Sequence, residues 1–192
     1  MSAQPYRAVV IGASAGAVQA LLRVLPALPA DFALPIIIVV HVPSDRDNAL
    51  VALLEKHCRI AVKEAEDKEL VVPGTVYFAP SDYHLLVEAD GRLSLSSDEP
   101  VNHSRPAIDV LFESAADAWG PALIGIILTG ANHDGTAGLQ AVQRRGGMAV
   151  VETPETASTP TMPASALSGS PSAHTLDLDG ITAFLIDLAR AK

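Results

Sequence analysis

The sequence predicts an α/β protein: a doubly wound, mostly parallel sheet with helices on both faces and a small antiparallel hairpin element. Three observations carry that prediction. Apolar runs without polar alternation, at 8–11, 34–40, 123–128 and 148–151, have the texture of strands covered on both faces. Stretches of helical spacing follow them, with glycines at the junctions. The middle of the chain instead breaks into short segments separated by Pro73-Gly74, Pro80-Ser81-Asp82 and Asp90-Gly91, which are turn residues of hairpins.

Taken in order, 8–11 is a β-branched run ending at Gly12, and 18–25 follows with Val18, Leu21, Leu22 and Leu25 at helical spacing. This is strand, tight turn, helix. A second buried strand at 34–40 leads to a helix at 47–57. An antiparallel excursion is expected over about 64–97, built from segments 70–72, 76–79, 84–88 and 93–95, then a polar loop at 98–106 and a helix at 107–119. The third strand, 123–128, precedes a helix at 136–145 that Gly146-Gly147 terminates, and 148–151 is the fourth strand. The Thr-, Pro- and Ser-rich stretch 152–171 reads as a loop with one helical turn, and 179–189 as a closing helix. Right-handed crossovers are expected between the parallel strands. With no internal repeat or long linker, residues 1–192 read as a single domain.

At 192 residues, 49% hydrophobic and 18% charged, the chain can bury one full core and is too apolar to be disordered. No apolar stretch reaches the roughly 18 to 20 residues of a spanning helix, and residues 1–6 lack the basic and apolar regions of a secretory signal. A cytoplasmic protein without membrane insertion is expected. The single cysteine, Cys58, has no partner for an internal disulfide and no Cys or His at metal-ligand spacing, so a structural thiol and no metal site are expected. A net charge of -9, with basic residues single or in the pair Arg144-Arg145, argues against a nucleic-acid surface. Protein or small-molecule partners remain.

Three segments carry the chemistry. Gly12-Ala13-Ser14-Ala15-Gly16 follows the first strand, His41 ends the second, and Gly130-Ala131-Asn132-His133-Asp134-Gly135 follows the third. A parallel sheet brings all three to one edge, the carboxyl ends of its strands. The first segment fits the G-x-S-x-G turn that exposes a serine hydroxyl. It also fits a Rossmann-like loop, with Ser14 replacing the second glycine and Ala17 in the last position, or a tight connection with no chemistry. Helix amides there could serve an oxyanion or a phosphate. The second strand weighs against a dinucleotide, because His41 stands where an acid would hold ribose hydroxyls. Its imidazole could take a proton from Ser14, the plain alternative being a histidine bonded to backbone. Asp134 is placed to cap the helix from Thr136, to accept a hydrogen bond from His41, or to do both. His133, beside the helix start, reads as a surface residue. Serine, imidazole and carboxylate together suggest a serine hydrolase.

In this order and spacing the segments resemble the catalytic domain of the CheB-type protein-glutamate methylesterases, over nearly the whole chain. Besides residues 11–16, the resemblance is carried by Val40-His41-Val42-Pro43, by Val76-Tyr77-Phe78-Ala79-Pro80 with His84-Leu85-Leu86, and by Arg105-Pro106-Ala107-Ile108-Asp109-Val110-Leu111-Phe112. Leu128-Thr129-Gly130 with Asp134-Gly135, and Met162-Pro163, complete it. The resemblance implies Ser14, His41 and Asp134 as catalytic groups and hydrolysis of glutamate γ-methyl esters on the cytoplasmic helices of chemoreceptors. It also implies glutamine deamidation in some members, chemosensory signalling proteins as further partners, and no cofactor. The backbone amides of Ala15, Gly16 and Ala131 are the candidate oxyanion donors. Arg105 is a candidate substrate contact, an ion-pair role being its alternative.

The sequence also departs from the family pattern. The common Ser-Thr-Gly-Gly is here Ser14-Ala15-Gly16-Ala17, without the threonine hydroxyl. The common Gly-Met-Gly-x-Asp-Gly has Asn132 in place of its second glycine, which predicts a costly positive φ there. Asn-x-His-Arg-Pro becomes Asn102-His103-Ser104-Arg105-Pro106, with the histidine displaced by one position. Many members carry a receiver domain ahead of the esterase, and the residues before the first strand are too few for one. The expectation is therefore a free-standing methylesterase. A catalytically weak or inactive CheB-like regulatory or binding module is the alternative, and a nucleotide-binding protein a distant third.

Overall fold

The computed structural model describes residues 6–41 and 49–190. Val42 and Pro43 of the motif above, residues 47 and 48 of the expected helix, and residues 1–5 lie outside them. The first half of the chain forms β1 (Ala8–Ala13), α1 (Ala17–Val24), β2 (Ile36–Val40), α2 (Ala49–His57), β3 (Ala61–Glu64), β4 (Thr75–Phe78), β5 (His84–Val87) and β6 (Leu93–Ser96). The second half forms α3 (Ile108–Trp119), β7 (Leu123–Ile127), α4 (Thr136–Arg144), β8 (Met148–Glu152), α5 (Thr161–Gly169), β9 (His174–Leu176) and α6 (Leu178–Arg190).

Seven strands make one parallel sheet in the order β3-β4-β2-β1-β7-β8-β9, and β5 and β6 pair antiparallel beside it. Alternate side chains of each central strand enter opposite layers. Ala8 and Val10 of β1 pack in the layer with α3, α4 and α5, whereas Val9, Ile11 and Ala13 pack with α1, α2 and α6. Both faces being covered, such a strand has no reason to alternate apolar with polar residues. Each buried Val, Leu or Ile contributes about 1.5–3 kcal/mol.

The chain enters the sheet at its centre. β1 pairs with β2 on one side, Ala13 opposite Val40, and with β7 on the other, Gly12 opposite Ile127. The order reverses at β1, and a crevice opens there outside the carboxyl ends of the strands, where open α/β sheets bind ligands.

Several elements differ from the sequence reading. The 76–79 run is not part of the antiparallel excursion but supplies β4, inserted between β3 and β2. All four β4 residues are buried, as an internal parallel strand requires. The antiparallel part reduces to the β5–β6 pair, extended by a bridge between Leu70 and Arg92. The short edge strands β3 and β9 had no apolar run to announce them. The 152–171 stretch holds the nine-residue α5 rather than one turn. Its Pro163 falls at the third helical position, where an amide has no intrahelical acceptor to lose. Cys58 is half-buried and free of any disulfide, with its thiol pushed up to about 11 by burial, so it stays protonated at neutral pH. Among the described residues, no helix is long and apolar enough to cross a membrane.

Gly12 lies directly beneath α3, and a Cβ at that position would run into Ile108 Cγ2. Gly12→Ala is expected to destabilise the fold by about 1–3 kcal/mol, the usual cost of overpacking. Guanidinium unfolding against the wild type measures the change; an unmoved midpoint would mean that α3 is free to shift away from the sheet.

Candidate active site

Backbone pairing at the strand ends places the first two segments. Ser14 N–H donates to Thr129 O (2.9 Å) and His41 N–H to Ala13 O (3.2 Å), so each residue is tied to the neighbouring strand just past the paired ends. Gly16 turns the chain into α1 with φ 86°, and a Cβ there would press on Ser158 Cβ at 2.8 Å and Thr129 Cγ2 at 3.0 Å. Thr129 Oγ1 donates to Ala15 O (2.9 Å) and accepts from Thr159 N–H (2.8 Å), clamping the turn from the β7 side. Ser14 is half-buried and Ala15 exposed. Among the described residues, neither Ser14 Oγ nor the amides of Ala15, Gly16 and Ala131 take part in a hydrogen bond.

The third segment reaches the second through Asp134. His41 Nε2 lies 2.8 Å from Asp134 Oδ2, and the carboxylate is fully buried. Asp134 does not cap α4. The residue preceding that helix is Gly135, at φ 96°, and no side chain caps it locally. The carboxylate caps α3 instead, accepting from Ile108 N–H (2.7 Å) and Asp109 N–H (3.1 Å). Asp109 returns the exchange, its Oδ1 accepting from Gly135 N–H (3.0 Å) and Gly138 N–H (2.7 Å) at the start of α4. Asn102 Nδ2 donates to both carboxylates, at 2.8 Å in each case.

The electrostatics of the two acids diverge. Burial pushes Asp134 up, but the hydrogen bonds from His41, Ile108 N–H, Asn102 and Asp109 N–H outweigh it and hold the carboxyl below the ordinary aspartate range. Asp109 is pushed above that range by burial, with the Asp134 charge adding to the rise against its own hydrogen bonds.

The polar loop supplies what the sequence reading left unassigned. Asn102 and His103 both have positive φ, 52° and 61°, at the tip of a turn closed by reciprocal Val101 and Ser104 hydrogen bonds. Asn and His are among the few non-glycine residues enriched in that region. Buried His84 pins the loop at both ends, Nε2 to Glu99 O (2.9 Å) and Nδ1 to Ala107 N–H (3.2 Å). The expected positive φ at Asn132 is not found: among the described residues, the non-glycine residues in that region are Lys68, Asp82, Asn102 and His103. Asn132 instead turns its side chain inward, Nδ2 lying 3.3 Å from His41 Nδ1. His133 is exposed. His41, Asp82, His103 and Arg105 line a concavity of about 280 Å³ beside the imidazole. Arg105 Nη1 donates to Ser97 O (3.0 Å) and Asp98 O (3.1 Å), while its buried Nε has no partner among the described residues.

The family model described as CheB methylesterase matches residues 9–185. The chain belongs to the CheB methylesterase family. A Leptospira interrogans protein with the provisional name protein-glutamate methylesterase/protein-glutamine glutaminase is 48% identical over 183 residues, 95% of each chain. The protein-glutamate methylesterase/protein-glutamine glutaminase of Chromohalobacter salexigens is 38% identical over 189 residues, 97% of this chain and 53% of that protein. The crystal structure of the Thermotoga maritima CheB methylesterase catalytic domain matches with a TM-score of 0.91 and 36% identity, covering 96% of this chain and 100% of that one. The doubly wound α/β sheet expected from the sequence is the fold of that CheB catalytic domain, and the relatives are by name carboxylic ester hydrolases. None of these similarities supports a catalytically silent module.

Because the Asp134 pKa is lower in the folded chain than in the unfolded one, its ionised form stabilises the fold above the ordinary aspartate range. That contribution is lost as pH falls through the lowered value. Asp134→Asn is expected to cost about 1–3 kcal/mol at pH 7 through donors left unsatisfied. Its deficit against the wild type should narrow as pH drops below about 4, where Asp134 of the unfolded wild-type chain begins to take up a proton while the folded carboxylate stays ionised. Denaturant unfolding at pH 7 and pH 3 measures both; a deficit constant across that range would assign the stabilisation to other groups.

Proposed function

We propose that this chain hydrolyses glutamate γ-methyl esters on the cytoplasmic helices of chemoreceptors, and therefore works in the cytoplasm. Ser14 is the nucleophile, His41 the general base, and Asp134 the carboxylate that orients the imidazole. The observation that carries this reading is the 2.8 Å contact of His41 Nε2 with buried Asp134, on the strand end next to Ser14. One ring nitrogen is committed to a carboxylate, which leaves the other for the serine proton.

Ser14 Oγ adds to the ester carbonyl as its proton passes to His41. Collapse of the adduct expels the methoxy group, which takes that proton and departs as methanol. Water, deprotonated by His41, then attacks the acyl-enzyme, releasing glutamate and restoring Ser14. The amides of Ala15, Gly16 and Ala131, unpaired among the described residues, are the donors available to the oxyanion. Starting from a glutamine side chain, the same acyl-enzyme forms with loss of ammonia, which accounts for the glutaminase half of the relatives' names. Arg105, which lines the concavity beside His41, is the substrate contact.

Methanol release from methylated receptor cytoplasmic fragments tests the reading, with wild type and variants at equal folded concentration. Ser14→Ala and His41→Ala are each expected to lower kcat at least about a thousandfold. Arg105→Ala is expected to raise KM more than it lowers kcat. Release undiminished in Ser14→Ala would eliminate the nucleophile; no release by the wild type across several receptors would eliminate the methyl ester as substrate.

A further inference from the structure

Asn132 touches both His41 and the backbone of Asp134, and the mechanism above assigns it nothing. Its Oδ1 accepts from Asp134 N–H at 3.0 Å, which fixes the orientation of the amide and leaves Nδ2 facing His41 Nδ1 at 3.3 Å. An amide nitrogen can only donate. Nδ1 must then present its lone pair, and the ring proton sits on Nε2, toward Asp134. An imidazole nitrogen has a single in-plane lone pair, so the Asn132 N–H and a serine O–H compete for one acceptor. Ser14 Oγ, meanwhile, has no hydrogen bond among the described residues.

We propose that Asn132 is a positioning residue that selects the Nε2–H tautomer of His41 and, in the resting protein, occupies the lone pair that Ser14 needs. The serine is activated when the Asn132 amide leaves Nδ1. This rests on the reading of Ser14 and His41 as nucleophile and base. The contact is long and only half-buried, so little has to move, and a bound peptide offers carbonyl acceptors to the displaced amide.

The test compares wild type, Asn132→Ala and Asn132→Asp by their labelling with a small alkyl fluorophosphonate. In that reaction Ser14 Oγ bonds to phosphorus, fluoride leaves and the serine proton passes to His41. Asn132→Ala frees Nδ1 and is expected to label about fivefold faster, the factor that one ordinary hydrogen bond represents. Asn132→Asp keeps the oxygen that accepts Asp134 N–H but sets a carboxylate against Nδ1, drawing the ring proton there, so it labels more slowly than wild type. A merely structural role in the turn predicts the opposite order, because Asp retains the turn bond and Ala loses it. The ¹⁵N resonance of His41 Nδ1 provides a second readout. It should move toward a free, unprotonated nitrogen in the alanine variant and toward a protonated one in the aspartate variant. An unmoved resonance, an alanine variant no faster than wild type, or an aspartate variant no slower overturns the proposal. Labelling absent from Ser14 in all three proteins, with Ser14→Ala as control, would instead remove the nucleophile reading and with it the masking role. The Nδ1 resonance would then still decide the tautomer selection.

Discussion

Two helix N-termini meet at this site, and each is capped by a carboxylate from the other's segment. Asp134, just ahead of α4, takes the amides of Ile108 and Asp109; Asp109, in the first turn of α3, takes those of Gly135 and Gly138. A capping interaction of this kind contributes about 0.5–2 kcal/mol, and here each cap also sets where the other helix starts. Asn102 binds both carboxylates with one amide group, so the tip of the polar loop is held in the same lock. The orientation of His41 follows from this exchange, because the Asp134 oxygen that meets its Nε2 also accepts Ile108 N–H. Disturbing either helix start therefore disturbs the imidazole.

The wall on the β7 side is built by a different device. Thr129 N–H donates to Glu152 Oε2 (2.8 Å), a carboxyl buried beneath the loop and pushed up by that burial. The Thr129 hydroxyl reaches across to Ala15 O, and Thr159 N–H reaches back to the hydroxyl. Gly130 and Met162 continue the tie to α5: Gly130 N–H donates to Thr159 O and Met162 N–H to Gly130 O. A side chain at Gly130 would collide with Met162, so this junction demands glycine for close packing. The turn that carries Ser14 is thus braced by the end of one strand and the start of a helix remote in sequence, which under the proposed mechanism is the rigid setting that a nucleophile requires.

What was legible in the sequence follows from how local its causes are. The strand-turn-helix around Ser14 could be read because a β-branched run, small residues and helical spacing all act within a few positions of one another. The parallel register that sets His41 beside Ser14 followed from two apolar runs of buried texture. Of the roles open to Asp134, the bond to His41 was legible but the cap was placed on the wrong helix, because capping rules look to the adjacent one, whereas the amides it serves lie 26 and 25 residues away in sequence. Asn102 and Asp109 were visible as polar residues at a loop and a helix start, yet nothing nearby identified their partners. At β4 the turn residues Pro73-Gly74 and Pro80-Ser81-Asp82 outweighed four consecutive buried positions, and the buried run was the better guide. Asn132, expected to need a positive φ, does not have one, so only the structure could show that its side chain is what matters.

Two carboxylates held this close cannot be equivalent, and their inequality has a use. Asp109 accepts three N–H groups, from Gly135, Gly138 and Asn102, which favour its ionised form, yet burial and the Asp134 charge outweigh them. Its raised pKa is therefore where the cost of burial and of mutual repulsion collects. Asp134 is relieved of that cost by the start of α3 and by His41, and it stays ionised well into acid. Under the proposed mechanism, an imidazole that gains a proton from Ser14 becomes a cation in contact with this fixed negative charge. At an effective dielectric near 20, unit charges about 4 Å apart attract by about 4 kcal/mol, and the charge is already in place before reaction, so no reorganisation is needed to exploit it. The same exchange that starts two helices thus keeps charged the carboxylate that faces the imidazole.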